Sequence, residues 1–239
     1  MSVCGDYNPT IVTKVERPPR NIIDEFKNLS TPNVSDALER NRVNGVVENL
    51  RPMVSGVRIA GPAITVRYVP LSPGEEGTKE DIGDYLFEIA QQGDVIVIDN
   101  GGVTTYTCWG DILTFTAVKL GIAGTVIDGM FRDYDNILKM RYPIFARGTI
   151  PRTGKDRLQI DGVNVAVEVG GILVRPGDII LGDDTGVLRI PKEKAADILK
   201  DAKQVEEAER MIIDSVSSGL TLREARQKYR YFQLQRATR

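Results

Sequence analysis

The strongest constraint on the fold is an alternation of short apolar runs with amphipathic stretches in the middle of the chain. VIVID (95–99) and TVID (125–128) are apolar enough to be strands buried on both faces. Each is followed by a stretch with helical spacing, at 110–120 and at 131–140. Strands that alternate with helices in this way are typical of a parallel sheet. The centre of the chain therefore predicts an α/β core.

The residues before and within this core predict further elements with ordinary local signals. Ser30-Thr31-Pro32 has the composition of a helix cap followed by a proline in the first turn. The expected elements are helices over 21–29, 31–40 and 81–92, two strands over 57–69 separated at Gly61-Pro62, a polar loop over 70–80, a loop over 100–107 and a strand over 142–148.

The character of the sequence changes in its last third. Short apolar segments separated by glycines fill residues 163–190, which favours a β meander or the wall of a small barrel. Pro191 then opens a long helix to about Ser217, and a short basic tail helix is expected from Thr221 to Gln233. We therefore divide the chain into an N-terminal arm (1–20), a main domain (21–217) and a C-terminal tail (218–239).

Two similar segments begin with a Gly-Asp pair. Gly93-Asp94 precedes one apolar strand and Gly177-Asp178 precedes another, and an aspartate ends each strand. Since Gly-Asp is a common way to turn the chain into a strand, we interpret the similarity as local rather than as an internal repeat.

Composition excludes several classes of protein. The 31 basic and 33 acidic residues give a net charge of −2, which disfavours a dedicated nucleic-acid binder. No apolar run approaches the ~20 residues of a membrane helix, and the N-terminus lacks a secretory signal. Cys4 and Cys108 form neither a CxxC pair nor a zinc quartet. The expectation is a reduced, cytoplasmic protein without a nucleic-acid or membrane partner.

The chain contains no histidine, and this limits its chemistry more than any other feature. Sites built on Ser-His or Cys-His pairs and on HExxH zinc motifs are excluded. A bound metal would need mainly oxygen ligands, which favours Mg²⁺, Mn²⁺ or Ca²⁺ over zinc or copper. A general base would have to be Asp, Glu, Lys, Tyr, Cys or water activated by a metal.

Candidate functional residues converge in the segment 105–135. Gly110-Asp111-Ile112-Leu113 opens a predicted helix, where unpaired N–H groups favour an anion. Arg132-Asp133 follows a predicted strand, and ligands of α/β sheets bind beyond the carboxyl ends of the strands. Simpler interpretations remain open: Asp111 as a first-turn acid, Arg132-Asp133 as a surface ion pair, and Trp109 as a core residue.

These residues, together with several others in order along the chain, resemble the RraA-like family of class II pyruvate aldolases. Asp111, twenty intervening residues and Arg132-Asp133 match the spacing typical of that family. LSTPNVSDAL (29–38), RIAGPAITV (58–66) and PGDIILGDDTGV (176–187) resemble it as well. The similarity extends over residues 22–216. It implies a swivelling β/β/α fold, with helices on a mixed sheet or small barrel and a long C-terminal helix.

The resemblance also implies roles for individual residues. Gly110 to Leu113 would hold a pyruvate-type carboxylate, and Arg132 would bind the substrate. Asp133 would bind Mg²⁺ or Mn²⁺, and Asp111 would organise water at the metal. Asn136 departs from the pattern, because many members carry an acid there; the adjacent Asp135 is a possible substitute.

A glutamate from the C-terminal helix of a neighbouring subunit completes the site in the family. Glu209 is the best match here, with Glu206 and Glu207 close by. Glu209 falls on an apolar seam in the helix, but an equally acceptable interpretation places Ala208 in the seam and Glu209 in solvent.

The function implied by the resemblance is a metal-dependent lyase. It would release pyruvate from 4-hydroxy-2-oxo acids by retro-aldol cleavage and would also decarboxylate oxaloacetate, in a homotrimer or a hexamer. A non-catalytic regulator that binds a ribonuclease is the alternative. A menaquinone-type methyltransferase is disfavoured, because IDNGGVTTY (98–106) has no helix directly after its glycines.

Overall fold

The computed structural model describes residues 8–72 and 82–234, apart from the side chain of Asp84. Cys4, most of the polar loop over 70–80 and the first residue of the helix expected over 81–92 lie outside the described residues. The helices are α1 (Arg20–Phe26), α2 (Thr31–Arg40), α3 (Ile82–Ile89), α4 (Asp111–Leu120), α5 (Tyr134–Met140), α6 (Ala195–Ser217), α7 (Leu222–Lys228) and α8 (Tyr231–Leu234). The strands are β1 (Thr10–Ile11), β2 (Val46–Val47), β3 (Arg51–Pro52), β4 (Ile59–Pro70), β5 (Val95–Thr107), β6 (Gly124–Phe131), β7 (Ile144–Thr149), β8 (Leu158–Val163), β9 (Val167–Val169), β10 (Ile172–Val174), β11 (Ile179–Asp183) and β12 (Gly186–Ile190).

The predicted parallel core is confirmed. Strands β4, β5, β6 and β7 pair in parallel and in chain order, and α3, α4 and α5 connect them. The segment 95–98 of β5 is fully buried, as its continuous apolar sequence predicts. This arrangement brings the carboxyl ends of β5 and β6 to the same edge of the sheet, next to the start of α4 and α5.

The rest of the sheet is antiparallel, so the sheet is mixed, as expected. β11 lies between β4 and β12, β2 pairs with β12, and β3 pairs with β7 at the far side. β8 pairs antiparallel with β4, and β1, in the predicted N-terminal arm, pairs in parallel with β8. β9 and β10 form a separate hairpin. Helices α1, α2 and α6 pack on β11 and β12 through a second apolar cluster.

The predicted break at Gly61-Pro62 is wrong, because β4 runs through it as one strand. Its first part pairs with β11 and its later part with β5 and β8, so the two residues mark a change of partner and not an end. Gly61 is needed for close approach: a Cβ there would lie 2.1 Å from the carbonyl oxygen of Gly93.

Alanine at Gly61 is therefore expected to lower the free energy of unfolding by about 1–3 kcal/mol, the usual range for forcing atoms into a packed site. Gly186→Ala is the matched control, because Gly186 is also in a strand and a Cβ there meets no atom within 4 Å. Urea unfolding measures both. Equal stability of the two variants would contradict the assigned contact between Gly61 and Gly93.

Among the other boundaries that differ from the prediction, three have a clear structural cause. Residues 100–107 are an irregular continuation of β5 and not a loop; the register shifts twice there, and Gly101 and Gly102 have positive φ. The helix expected from Phe131 begins at Tyr134, because β6 continues to Phe131. The tail forms two helices, since Arg230 adopts φ 51° between them. No helix in the described ranges is long and apolar enough to cross a membrane.

The two Gly-Asp segments have a shared structural role. The carboxylate of Asp94 accepts the N–H of Gln91, three residues earlier, and that of Asp178 accepts the N–H of Arg175 in the same way. Each carboxylate also pairs with an arginine, Arg17 or Arg189. The hydrogen bonds to the N–H groups of Gln91 and Arg175 close a turn before each strand, which is the local role expected of a Gly-Asp pair.

Candidate functional site

The start of α4 lies directly against the turn between β6 and α5. Gly110 is the N-cap residue of α4, and a Cβ there would lie 2.7 Å from Oδ2 of Asp133 and 3.4 Å from Nε of Arg132. The N–H of Asp111 donates to Oδ2 of Asp133 at 3.2 Å, and the N–H of Arg132 donates to the carbonyl of Trp109 at 3.1 Å. The structure therefore brings together residues that twenty intervening residues separate in the sequence.

Trp109 stabilises the start of α4 through a chain of hydrogen bonds. Its side chain is 2% exposed, and its indole N–H donates to the hydroxyl oxygen of Thr114 at 2.7 Å. The Thr114 hydroxyl donates in turn to the carbonyl of Gly110 at 2.9 Å. The core interpretation of Trp109 is thus correct, and its hydrogen bonds fix the start of α4.

Arg132 and Asp133 present charged groups at the surface of this turn. Their side chains are 43% and 34% exposed, and Nε of Arg132 lies 3.5 Å from Oδ2 of Asp133. At that separation the two groups form a loose ion pair, so both can contact a ligand. Asp133 has φ 61°, a left-handed conformation that aspartate tolerates better than most residues.

Asp111 is held by the residue at which the sequence departs from the family pattern. The side-chain amide of Asn136 donates to Oδ2 of Asp111 at 2.8 Å. An amide at this position stabilises the Asp111 carboxylate, whereas an acid in the same place would repel it unless a proton or cation intervened. Asp135 is exposed in the first turn of α5 and makes no described hydrogen bond to Asp111.

The first turn of α4 offers N–H groups to an anion. Those of Ile112 and Leu113 have no acceptor within the helix by the geometry of a helix start. The side chain of Ile112 is 78% exposed beside them. The helix dipole, the guanidinium of Arg132 and these N–H groups together favour a carboxylate at this place.

Within one copy of the chain, the described hydrogen bonds of Glu209 are not with the Arg132-Asp133 turn or the start of α4. It is half-buried on α6, where one carboxylate oxygen accepts from the side-chain amide of Asn33 and the other from the hydroxyl of Tyr231. Ala208, at 8% exposure, occupies the apolar seam, as one of the two interpretations predicted. That interpretation placed Glu209 in solvent, whereas the structure shows it only partly exposed and with hydrogen bonds to both oxygens.

The two neighbouring glutamates differ from Glu209. Glu206 and Glu207 are both exposed, and Glu207 forms a surface ion pair with Arg210 that lowers the pKa of its carboxyl. Asn33 and Tyr231 were missed by sequence reasoning. Asn33 stands within the family-like motif LSTPNVSDAL, which was a usable signal, but nothing in the sequence of the tail indicates the contact of Tyr231.

Asp133 and Asp111 are the carboxylates of this site that could contact a hard cation. Among the described residues no group of three or more His, Cys, Asp or Glu side chains is arranged to hold a metal ion. Mg²⁺ commonly uses only one or two protein carboxylates and completes its six oxygen ligands with water and substrate. Asp133 is the partly exposed carboxylate that could serve it, with Asp111 in the adjacent turn. Cys108 is no alternative base, since burial raises the pKa of its thiol far above the ordinary value.

A family model described as RraA-like, Aldolase/RraA, matches residues 31–189, about two thirds of the chain. The chain belongs to this family. It is 34% identical to the protein DlpA of Legionella pneumophila over 95% of its residues, although it spans only 37% of the length of that relative.

Two further similarities bear on the function of Aldolase/RraA proteins. The chain is 36% identical to a protein of Halalkalibacterium halodurans named "Putative 4-hydroxy-4-methyl-2-oxoglutarate aldolase", over 82% of this chain and 90% of that one. Its fold matches the crystal structure of Streptomyces coelicolor RraAS2 with a TM-score of 0.74 and 28% identity, over 83% of this chain and all of that one. RraAS2 is described as an unusual member of the RNase ES inhibitor RraA protein family.

Proposed function

We propose that the protein is a divalent-metal-dependent lyase that releases pyruvate from 4-hydroxy-2-oxo acids, with oxaloacetate decarboxylation as a second activity. The observation that carries the proposal is the packing of the Arg132-Asp133 turn against the start of α4. It places a guanidinium, a carboxylate and helix N–H groups around one solvent-accessible point. The name of the relative from Halalkalibacterium halodurans supports the aldolase class.

Substrate binding follows from the charges of the site. Within the segment Gly110 to Leu113, the N–H groups of Ile112 and Leu113 would donate hydrogen bonds to the carboxylate of a 2-oxo acid, while the Asp111 side chain accepts from Asn136. Arg132 would donate to the carboxylate and the keto oxygen, since its planar fork holds two oxygens at once. The exposed Ile112 side chain would border the apolar part of the ligand.

Asp133 would hold Mg²⁺ or Mn²⁺ next to this oxygen pair. When bound, the cation supplies positive charge that stabilises an enolate oxygen. Arg132 contributes to the same stabilisation, because its guanidinium remains charged while negative charge develops on the substrate.

The retro-aldol step breaks the bond between C3 and C4 of the substrate. Its electron pair moves toward C2 and gives the enolate of pyruvate, while the proton of the C4 hydroxyl leaves to a base and C4 becomes a carbonyl. A proton from water then adds to C3 of the enolate and gives pyruvate. In a chain without histidine, Asp111 or Glu209 would accept that proton through a water molecule. Oxaloacetate would lose CO₂ to give the same enolate, and no base is needed for that cleavage.

Participation of Glu209 would require a second copy of the chain, since Glu209 lies away from the Arg132-Asp133 turn of its own copy. A homotrimer or hexamer would supply it. An apolar face on α4, exposed at Ile112, Phe115 and Val118, adjoins the site and favours a neighbour there. Mixing Asp133→Ala with Glu209→Gln subunits should then restore activity that neither variant has alone. A 26 kDa particle in light scattering at micromolar concentration would contradict this assembly.

The alternative is a regulator without catalysis, and the similarity to RraAS2 favours it. A coupled assay with lactate dehydrogenase, run over a panel of 4-hydroxy-2-oxo acids and oxaloacetate, separates the two functions. Pyruvate formation from at least one substrate with Mg²⁺ or Mn²⁺ supports the lyase. No pyruvate from any substrate with either metal would reject it and favour the regulator.

A further inference from the structure

Glu209 is held in an unusual way for a surface-helix glutamate. Both carboxylate oxygens accept hydrogen bonds from uncharged donors, the amide of Asn33 and the hydroxyl of Tyr231, the latter at 2.7 Å. Within the described ranges no lysine or arginine forms an ion pair with it, whereas Glu207 on the same helix pairs with Arg210. The position of the Glu209 carboxylate is therefore fixed by hydrogen bonds from uncharged groups and not by a positive charge.

The donor on α2 is itself fixed. The oxygen of the Asn33 side chain accepts from the hydroxyl of Ser30, which leaves the amide nitrogen directed at Glu209. The adjacent residue, Thr31, donates its N–H and its hydroxyl to the carboxylate of Asp183 at 2.9 and 2.7 Å. The start of α2 is thus tied to the end of β11. Rotation of the Asn33 side chain away from Glu209 would also break its hydrogen bond with Ser30.

The second donor comes from the C-terminal tail, which folds back along α6. Thr221 and Glu224 form a capping box at the start of α7, and Ala225 is fully buried. The hydroxyl groups of Tyr229 and Ser215 lie 3.0 Å apart and tie the end of α7 to α6. The turn at Arg230 then directs α8, and with it Tyr231, back to Glu209.

We propose that Tyr231 and Asn33 are positioning residues that hold the Glu209 carboxylate in the orientation required of a general base in retro-aldol cleavage. The inference rests on the proposed function. It gives the C-terminal tail a role in the chemistry, because the hydroxyl that orients the base is on α8.

The protonation state of Tyr231 agrees with this role. Burial, the hydrogen bond to Glu209 and the charge of Glu209 raise the pKa of Tyr231 to about 12. The phenol therefore stays protonated at neutral pH and remains a donor to the carboxylate. Arg226 lies over the ring of Tyr231, 5.8 Å from its centroid, and packs α8 onto α7.

The test compares two reactions that share a site but differ in their need for a base. Tyr231→Phe and Asn33→Ala should each lower kcat for retro-aldol cleavage by roughly tenfold, a part of the ~10²–10⁴-fold that a positioned base contributes. Neither should change kcat for oxaloacetate decarboxylation by more than about twofold. Glu209→Gln sets the upper limit of the selective loss. Tyr229→Phe is the matched control, because it removes a tail hydroxyl that contacts Ser215 and not Glu209.

Each outcome either supports or overturns the inference that Tyr231 and Asn33 position Glu209. A selective loss of aldol cleavage in Tyr231→Phe and Asn33→Ala, absent in Tyr229→Phe, supports the inference. Equal losses of both reactions, or an unchanged aldol rate in Tyr231→Phe, would overturn it and leave the tail a structural role. Absence of pyruvate from both substrates with the unaltered protein is a different result, which rejects the proposed function and with it this inference.

Discussion

Asparagine in place of Asp133 is expected to lower metal-dependent pyruvate formation by at least ~100-fold while leaving the free energy of unfolding within about 0.5 kcal/mol. The substitution removes the charge that would hold the cation. It keeps the size of the side chain, an acceptor for the N–H of Asp111, and a residue that tolerates φ 61°.

Alanine at Asp133 should remove activity equally, but it is expected to cost about 1 kcal/mol of stability as well, because alanine adopts left-handed backbone poorly. Asp156→Asn is a suitable control, since Asp156 is an exposed aspartate with φ 60° outside the site. Steady-state assays, urea unfolding and Mn²⁺ binding followed by electron paramagnetic resonance measure these effects. Unaltered Mn²⁺ affinity in Asp133→Asn would show that the cation is held elsewhere.

Lysine in place of Arg132 is expected to reduce kcat/KM by roughly 100-fold, although it preserves the positive charge and most of the length of the side chain. The proposed ligand presents two oxygens side by side. A guanidinium donates to both in one plane, whereas an ammonium acts as a point charge.

The loss in Arg132→Lys should appear in kcat as well as in KM, since Arg132 is proposed to stabilise charge that develops during cleavage. Arg175→Lys, at an exposed position on the turn between β10 and β11, should leave both constants unchanged. If Arg132→Lys retained nearly full activity, simultaneous binding of two oxygens by Arg132 would be wrong.

The parts of the fold that local chemistry determines could be predicted from the sequence. The Ser30 cap with Pro32 gave the start of α2, and the helical spacing over 110–120 gave the end of α4, which Gly121 caps with φ 69°. The buried strand segments followed from continuous apolar sequence. The prediction of a break at Gly61-Pro62 was wrong for a physical reason. Gly61 allows a close contact with Gly93, and β4 changes its strand partner after Pro62. Both features depend on residues that are distant in the sequence.

The candidate site shows the same division. The spacing of Asp111 and Arg132-Asp133, through its resemblance to the family, identified residues that the structure brings together. The family-like motif around Asn33 gave a signal for that residue but not for its contact with Glu209, and nothing in the sequence indicated Tyr231. Their contacts with Glu209 span 176 and 22 positions and depend on how the tail folds back over α6. Asn136 was read as a departure from the pattern, and only the structure shows that its amide binds Asp111.

Metal titration of the chelated protein tests the central claim most directly. The protein is treated with EDTA, dialysed and supplied with a 4-hydroxy-2-oxo acid while Mg²⁺ or Mn²⁺ is added stepwise, and pyruvate is followed by the lactate dehydrogenase coupling. We predict background rates without metal, saturable recovery with either cation, and no recovery in Asp133→Asn. Pyruvate formation at the same rate in EDTA, or full recovery in Asp133→Asn, would contradict a metal-dependent lyase centred on Asp133.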